Sequence, residues 1–153
     1  MPGYKKHIAA GIGSYVALIA CLSIGSISLL RAAEWLFFML LGSLFPDIDI
    51  KSKGQLLFYH IGLLILLFCM LFSQWRTVGI MSISLCLPLL VRHRGIFHNF
   101  WLISGITLSA VFYAASLWPR AQYSLFSDAF FFLAGVASHL ILDKGVRKTF
   151  LSL

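Results

Sequence analysis

Acidic residues are scarce in this chain: 153 residues hold five Asp and Glu against twelve Lys and Arg, a net charge of +7. Charged residues of both signs make up 11% of the chain, less than half of the roughly 25% usual in a water-soluble domain. With 60% hydrophobic residues and a mean hydropathy of +0.93, that scarcity excludes an ordinary soluble globule. Long apolar runs separated by short basic connectors indicate a polytopic membrane protein instead. The Lys and Arg residues form no basic stripe and flank no aromatic stacking platform, so nucleic acid is not an expected partner. Cysteine is also sparse. Cys21, Cys69 and Cys86 lie within apolar runs and make no CxxC, so they offer neither a disulfide framework nor a zinc knuckle. No linker, low-complexity tract or internal repeat divides the chain, which reads as one integral membrane domain over 1–153.

Six apolar segments follow one another at about residues 8–30, 33–46, 56–73, 77–91, 96–118 and 126–142. The expected fold is all-α, a bundle of transmembrane helices. The first and fifth segments easily cover a hydrocarbon core of about 30 Å, which takes about 20 helical residues. The second and fourth are short for that, and either cross a thinned region or end under cover of other helices. The stretch MPGYKKHIAAGIGSYVALIACLSIGSIS has the basic lead of a signal peptide, but its apolar run is long and no A-x-A site follows. It reads as an uncleaved anchor helix. If all six segments cross, one side receives Lys5, Lys6, Lys51, Lys53, Arg92, Arg94, Lys144, Arg147 and Lys148, and the other only Arg31, Arg76 and Arg120. Nine against three places both termini in the cytoplasm. Withdrawing segments three and four as a buried hairpin gives four spans with the same sidedness.

Two of the five acids stand one residue apart in LFPDID, where Pro46 ends the second segment and leaves Asp47 and Asp49 in the loop behind it. The histidines gather on the same side. His7 opens the first segment, RHRGIFHN carries His93 and His98, and SHLILD carries His139 and Asp143 at i, i+4 on one helical face. Ionisable groups at membrane depth are rare and usually functional. Imidazole and carboxylate are the donors for a borderline or hard divalent cation. Seven such donors suit a two-metal centre, which activates water and neutralises oxyanions as phosphoester hydrolysis requires.

Taken singly, each feature also has a structural reading: His139 with Asp143 as a helix-end pair, Asp47 as a loop cap, His7 as an interfacial residue. Arg92 and Arg94 either clamp a phosphate through forked hydrogen bonds or pair with the aspartates. His60 reads as hydrogen-bonded within the bundle, and Asp128 and Glu34 as solvated charges at its opposite end. Gly11, Gly42 and Gly135 are expected points of close helix contact.

The ordered set of an N-terminal His, GSLFPDID, HRGIFHN and GVASHLILD resembles the YdjM-like family. Its members are described as LexA-regulated, metal-dependent hydrolases of the inner membrane, grouped by motif with zinc-dependent phospholipase C. The likeness runs over almost the whole chain. It implies metal ligation by His7, Asp47, Asp49, His93, His98, His139 and Asp143. One departure stands out: Asn99 occupies the place where the family commonly has Ser.

These readings combine into an expectation of a multi-pass inner-membrane hydrolase acting on a phosphoester of a phospholipid or lipid-linked phosphate at the cytoplasmic face. The expected cofactor is a divalent metal, zinc ahead of manganese, as one ion or two. Asp47 or Asp49 would act as general base, and Arg92 and Arg94 would hold the phosphate. A membrane lipid is favoured as substrate because its phosphate already lies at the depth of the site. The alternative is a non-enzymatic membrane protein with a structural metal site or a metal or ion transport role. A permeation path carries polar groups through the bilayer, whereas the middle and outer leaflets read as almost purely apolar.

Overall fold

The computed structural model describes residues 3–22, 27–48, 53–73, 78–79, 82, 85–86 and 96–151. Every element among them is helical. They are α1 (Tyr4–Cys21), α2 (Leu29–Leu44), α3 (Lys53–Leu71), α4 (Phe100–Leu117), α5 (Gln122–Lys144) and α6 (Val146–Leu151), with 3-10 turns at Phe45–Asp47, Ile96–His98 and Pro119–Ala121. Three stretches are long and apolar enough to cross a membrane: Leu29–Asp47, Phe100–Leu117 and Pro119–Lys144. Phe58–Leu71 is a shorter apolar helix. The expected fourth segment falls largely outside the described residues.

Two boundaries differ from the sequence reading, and capping explains both. The first apolar run is not continuous to residue 30. Ser28 accepts a hydrogen bond from the Arg31 backbone N–H at 3.3 Å and so starts a new helix there. Leu29 and Leu30 therefore belong to α2, and the second segment, expected to be short, reaches a spanning length of 19 residues once its 3-10 turn is included. Pro46 does not release a loop either. Pro sits in the first turn of the Phe45–Asp47 3-10 helix, where its missing N–H needs no partner. Asp47 is thereby held rigidly at the foot of α2.

The α2–α5 pair forms the centre of the bundle, with α1 packed across both and α4 against α5. Arg31 bonds Ser124 near the start of both helices, and Ser43 bonds His139 near their ends, so α2 and α5 run parallel. Their backbones touch. A Cβ added at Gly42 would strike the Phe132 carbonyl, and one at Gly135 would strike the Met39 carbonyl. Gly11 gives α1 the same approach, since a Cβ there would lie 2.9 Å from Ser43 Oγ. All three glycines are thus points of close contact, as expected. Trp35, Met39 and Phe131 fill the middle of the pair, the Trp35 and Phe131 rings stacking at 4.8 Å. Ile103, Val136 and Leu140 form a second core toward its lower end, under Phe45 and Phe100. Outside, α3 and α4 expose large apolar side chains such as Leu64, Phe68, Ile106 and Phe112, a surface suited to lipid rather than water.

A candidate metal centre at one end of the bundle

Four helical ends meet at the foot of the α2–α5 pair. Asp47 closes the 3-10 turn after α2, and His98 closes the turn before α4. His139 and Asp143 come from the last turns of α5, and His7 from the first turn of α1. One ligand atom from each of Asp47, His98, His139 and Asp143 lies within 4.8 Å of the other three. His139 Nε2 stands 3.6 Å from Asp47 Oδ1 and 3.5 Å from Asp143 Oδ2, and His98 Nε2 stands 3.9 Å from Asp47 Oδ1. These separations are too long for hydrogen bonds. They approach the roughly 3.3 Å between neighbouring ligand atoms around a tetrahedral ion with bonds of about 2.0–2.1 Å.

The tautomer of His139 fits that use. Its Nδ1 lies 2.7 Å from the Ser43 carbonyl oxygen, which can only accept, so Nδ1 carries the proton. Nε2 faces the carboxylates and is the nitrogen free to ligate in the neutral ring. A ligating histidine is commonly oriented in this way by a carbonyl on its other nitrogen. Nε2 of His139 and Oδ1 of Asp143 are buried without a hydrogen-bond partner among the described residues. Two carboxyl groups and two imidazoles are donor types that suit a divalent cation. The donor set fits such an ion.

His7 lies just outside the four-atom group. It is 1% exposed, its ring stacks on His139 at 3.8 Å, and its Nε2 stands 3.6 Å from Asp143 Oδ1. Asp143 therefore turns one oxygen to His139 and the other to His7. Of the seven ligands expected, five converge here. Asp49 and His93 lie outside the described residues, as do Arg92 and Arg94.

Residues 1–147 match the family described as YdjM inner membrane protein. The chain belongs to that family. Its membrane-capable helices accord with a multi-pass place in the inner membrane. No curated protein and no solved structure matches it. Asn99, which departs from the Ser common in the YdjM pattern, caps α4 by accepting from the Leu102 N–H at 3.1 Å. Asn and Ser serve about equally well as N-caps, so the exchange keeps the turn that presents His98.

Sequence reasoning missed Ser43 and Lys144. Lys144 Nζ donates to the His98 carbonyl at 2.8 Å and ties that turn to α5. Both contacts use backbone carbonyls, which no residue pattern marks. Two other expectations are corrected. Asp128 is not a solvated helix-end charge: it is 8% exposed, 3.4 Å from Ser124 Oγ, which in turn accepts from Arg31. Arg31 also donates to Glu34 at 2.7 Å. Among the described residues His60 bonds its own helix and not a neighbouring one. It is exposed, and its Nδ1 bonds the Leu56 carbonyl of its own helix at 2.8 Å.

Proposed function

We propose that this YdjM-family chain is a metal-dependent hydrolase of the inner membrane that cleaves a phosphoester of a phospholipid or lipid-linked phosphate. The observation that supports it is the convergence of Asp47, His98, His139 and Asp143 from three separate parts of the chain, the two histidines buried and the two aspartates partly so, at the end of membrane-capable helices. Asp47, His98, His139 and Asp143 would hold the ion, zinc or manganese. When bound, it would supply Lewis acidity toward water and a phosphoryl oxygen. Four protein ligands close a tetrahedral ion, and a catalytic ion keeps an open position. Asp143 offers a way out, because its second oxygen faces His7 and can serve a second ion or a proton there. Asp47 sits between two imidazoles as a ligand, so the role of proton acceptor passes to Asp49. His93 is proposed as a further ligand, and Arg92 and Arg94 as the clamp on the phosphate.

The nine-to-three partition of basic residues supports both termini and this site on the cytoplasmic side, in a single domain of six spans, or four. Purified protein should then release phosphate or a phosphorylated headgroup from bacterial lipids. Chelation should stop the release, and Zn²⁺ or Mn²⁺ should restore it. Metal-replete protein that leaves every phospholipid and polyprenyl phosphate intact would sink the hydrolase reading.

One observation favours a second reading, a metal or ion pathway: buried Asp128 puts a carboxylate in the far half of α5. Trp35, Met39 and Phe131 fill the space between that carboxylate and the cluster, however, with no polar relay among them. A structural metal site would retain the ion and show no turnover.

A further inference from the structure

Among the described residues, the exposed charges rimming the bundle end that holds the His and Asp cluster are all of one sign. Lys5 and Lys6 are exposed at the start of α1, and Arg147 and Lys148 are exposed on α6. Asp47 and Asp143, the described carboxylates of this end, turn inward, with side chains 15% and 6% exposed. Cations face outward and anions face the cluster. The fold fixes the rim on both flanks. His7, one residue after Lys6, is buried against His139. Two residues after Asp143 the chain turns at Gly145, whose φ of 78° favours glycine.

That turn lays α6 across the start of α4. Trp101 Nε1 donates to the Phe150 carbonyl at 3.1 Å, the Phe100 and Phe150 rings meet edge to face at 5.0 Å, and Thr149 is buried. With that face held inward, Arg147 stays outside beside Val146, which is 61% exposed, and Trp101 is itself 50% exposed. Apolar and aromatic surface thus interleaves with cations. A dissolved anion makes no use of such surface. The headgroup layer does, because tryptophan settles there and anionic lipid attracts Lys and Arg.

We infer that this rim selects anionic phospholipid headgroups and brings them to the mouth of the cluster, so that an anionic lipid is the substrate class. The binding part stands on the rim alone, and the substrate part rests on the hydrolase reading. The test places full-length protein in bilayers containing spin-labelled phosphatidylglycerol or phosphatidylcholine and reads the motionally restricted fraction of each probe. Phosphatidylglycerol should be favoured several-fold at low salt, and the preference should fall as ionic strength rises. Lys and Arg near a membrane surface are the groups that attract anionic lipid. The triple variant Lys5→Gln, Lys6→Gln, Arg147→Gln should therefore bring the ratio close to one, while Arg120→Gln at the other end should leave it unchanged. Metal-stripped protein should keep the preference, which separates this inference from the hydrolase reading. Equal association of the two probes with the parent protein overturns the inference. So does a preference that survives in the triple variant, or displacement of phosphatidylglycerol by inorganic phosphate at constant ionic strength. If the rim prefers phosphatidylglycerol while active protein hydrolyses only zwitterionic lipid, the substrate part fails and the binding part stands.

Discussion

At one end of the α2–α5 pair, Arg31 donates to Glu34 at 2.7 Å and to Ser124, which reaches Asp128 at 3.4 Å. At the other, Asp47 and Asp143 face His98 and His139 across gaps of 3.5 to 3.9 Å. His139 and Asp128 are eleven residues apart on α5, about 16 Å along the helix. Both ends bury carboxylates where water is scarce, which is costly unless they are paired. The Arg31 end supplies its own cation, which donates to Glu34 at 2.7 Å and to Ser124. At the cluster end Lys144 donates to the His98 carbonyl, and the carboxylates stand 3.5 to 3.9 Å from the imidazole nitrogens. The contrast separates a bond that ties helices from a set of donors shaped for an ion.

The sharpest way to break this comparison is to remove a donor. His139→Ala or Asp143→Asn should cost far more metal affinity than the 10–100-fold typical of losing an outer-shell partner, as read by elemental analysis and competitive chelation. The double variant should be little worse than the more damaging single, since both donors serve one ion from one helix face. Fully additive losses would assign them separate roles. Activity, where present, should vanish with the metal.

Next in size is the spacing of the pair itself. Gly42→Ala and Gly135→Ala each push a methyl group into a backbone carbonyl of the facing helix, and a carbonyl cannot rotate aside as a side chain can. Each should destabilise the protein by about 3 kcal/mol, the upper part of the overpacking range, in reversible unfolding from detergent. Metal affinity should fall too, because α2 and α5 carry donors from both sides. Unchanged affinity would show that the cluster forms independently of the α2–α5 contact.

Arg31→Gln tests the opposite end. It leaves Glu34 and Asp128 without their cation, at a cost of about 1–3 kcal/mol, discounted from the figure for a fully buried pair because Arg31 is partly exposed. Adding Asp128→Asn should restore much of the loss. Metal content should stay at the parent level in both. If it falls, the two ends are coupled and the comparison needs a connecting mechanism.

The smallest effect belongs to Asn99. Asn99→Ser should be nearly silent, since the cap survives, while Asn99→Ala should cost about 1 kcal/mol and loosen the turn that carries His98. A large loss with Ser would mean that Asn99 does more than cap.

Much of this was visible in the chain before any coordinates. A pattern of apolar runs with few charges forces a helical membrane protein, because a backbone crossing lipid must satisfy its own hydrogen bonds. The i, i+4 spacing of His139 and Asp143 puts both on one face of a helix whatever surrounds it. The family followed from LFPDID, HRGIFHN and SHLILD in order, and the match over residues 1–147 bears it out. Helix ends were less legible: Ser28 sits inside a continuous apolar run, and only its hydrogen bond to Arg31 shows that a new helix begins.

What tertiary structure alone decided is how those residues meet. Asp47, His98 and His139 lie far apart in sequence, and their convergence depends on a parallel α2–α5 pair brought to backbone contact by Gly42 and Gly135. The proton on His139 Nδ1 is set by the Ser43 carbonyl, a group every residue has and no pattern reveals. Asp128 is buried next to Ser124, whose hydroxyl accepts from Arg31 on another helix, a chain of contacts that no local pattern marks. Local sequence fixes periodicity and side-chain chemistry because both act over one or two turns. Contacts between helices depend on how whole faces fit, and that is a property of the packed bundle.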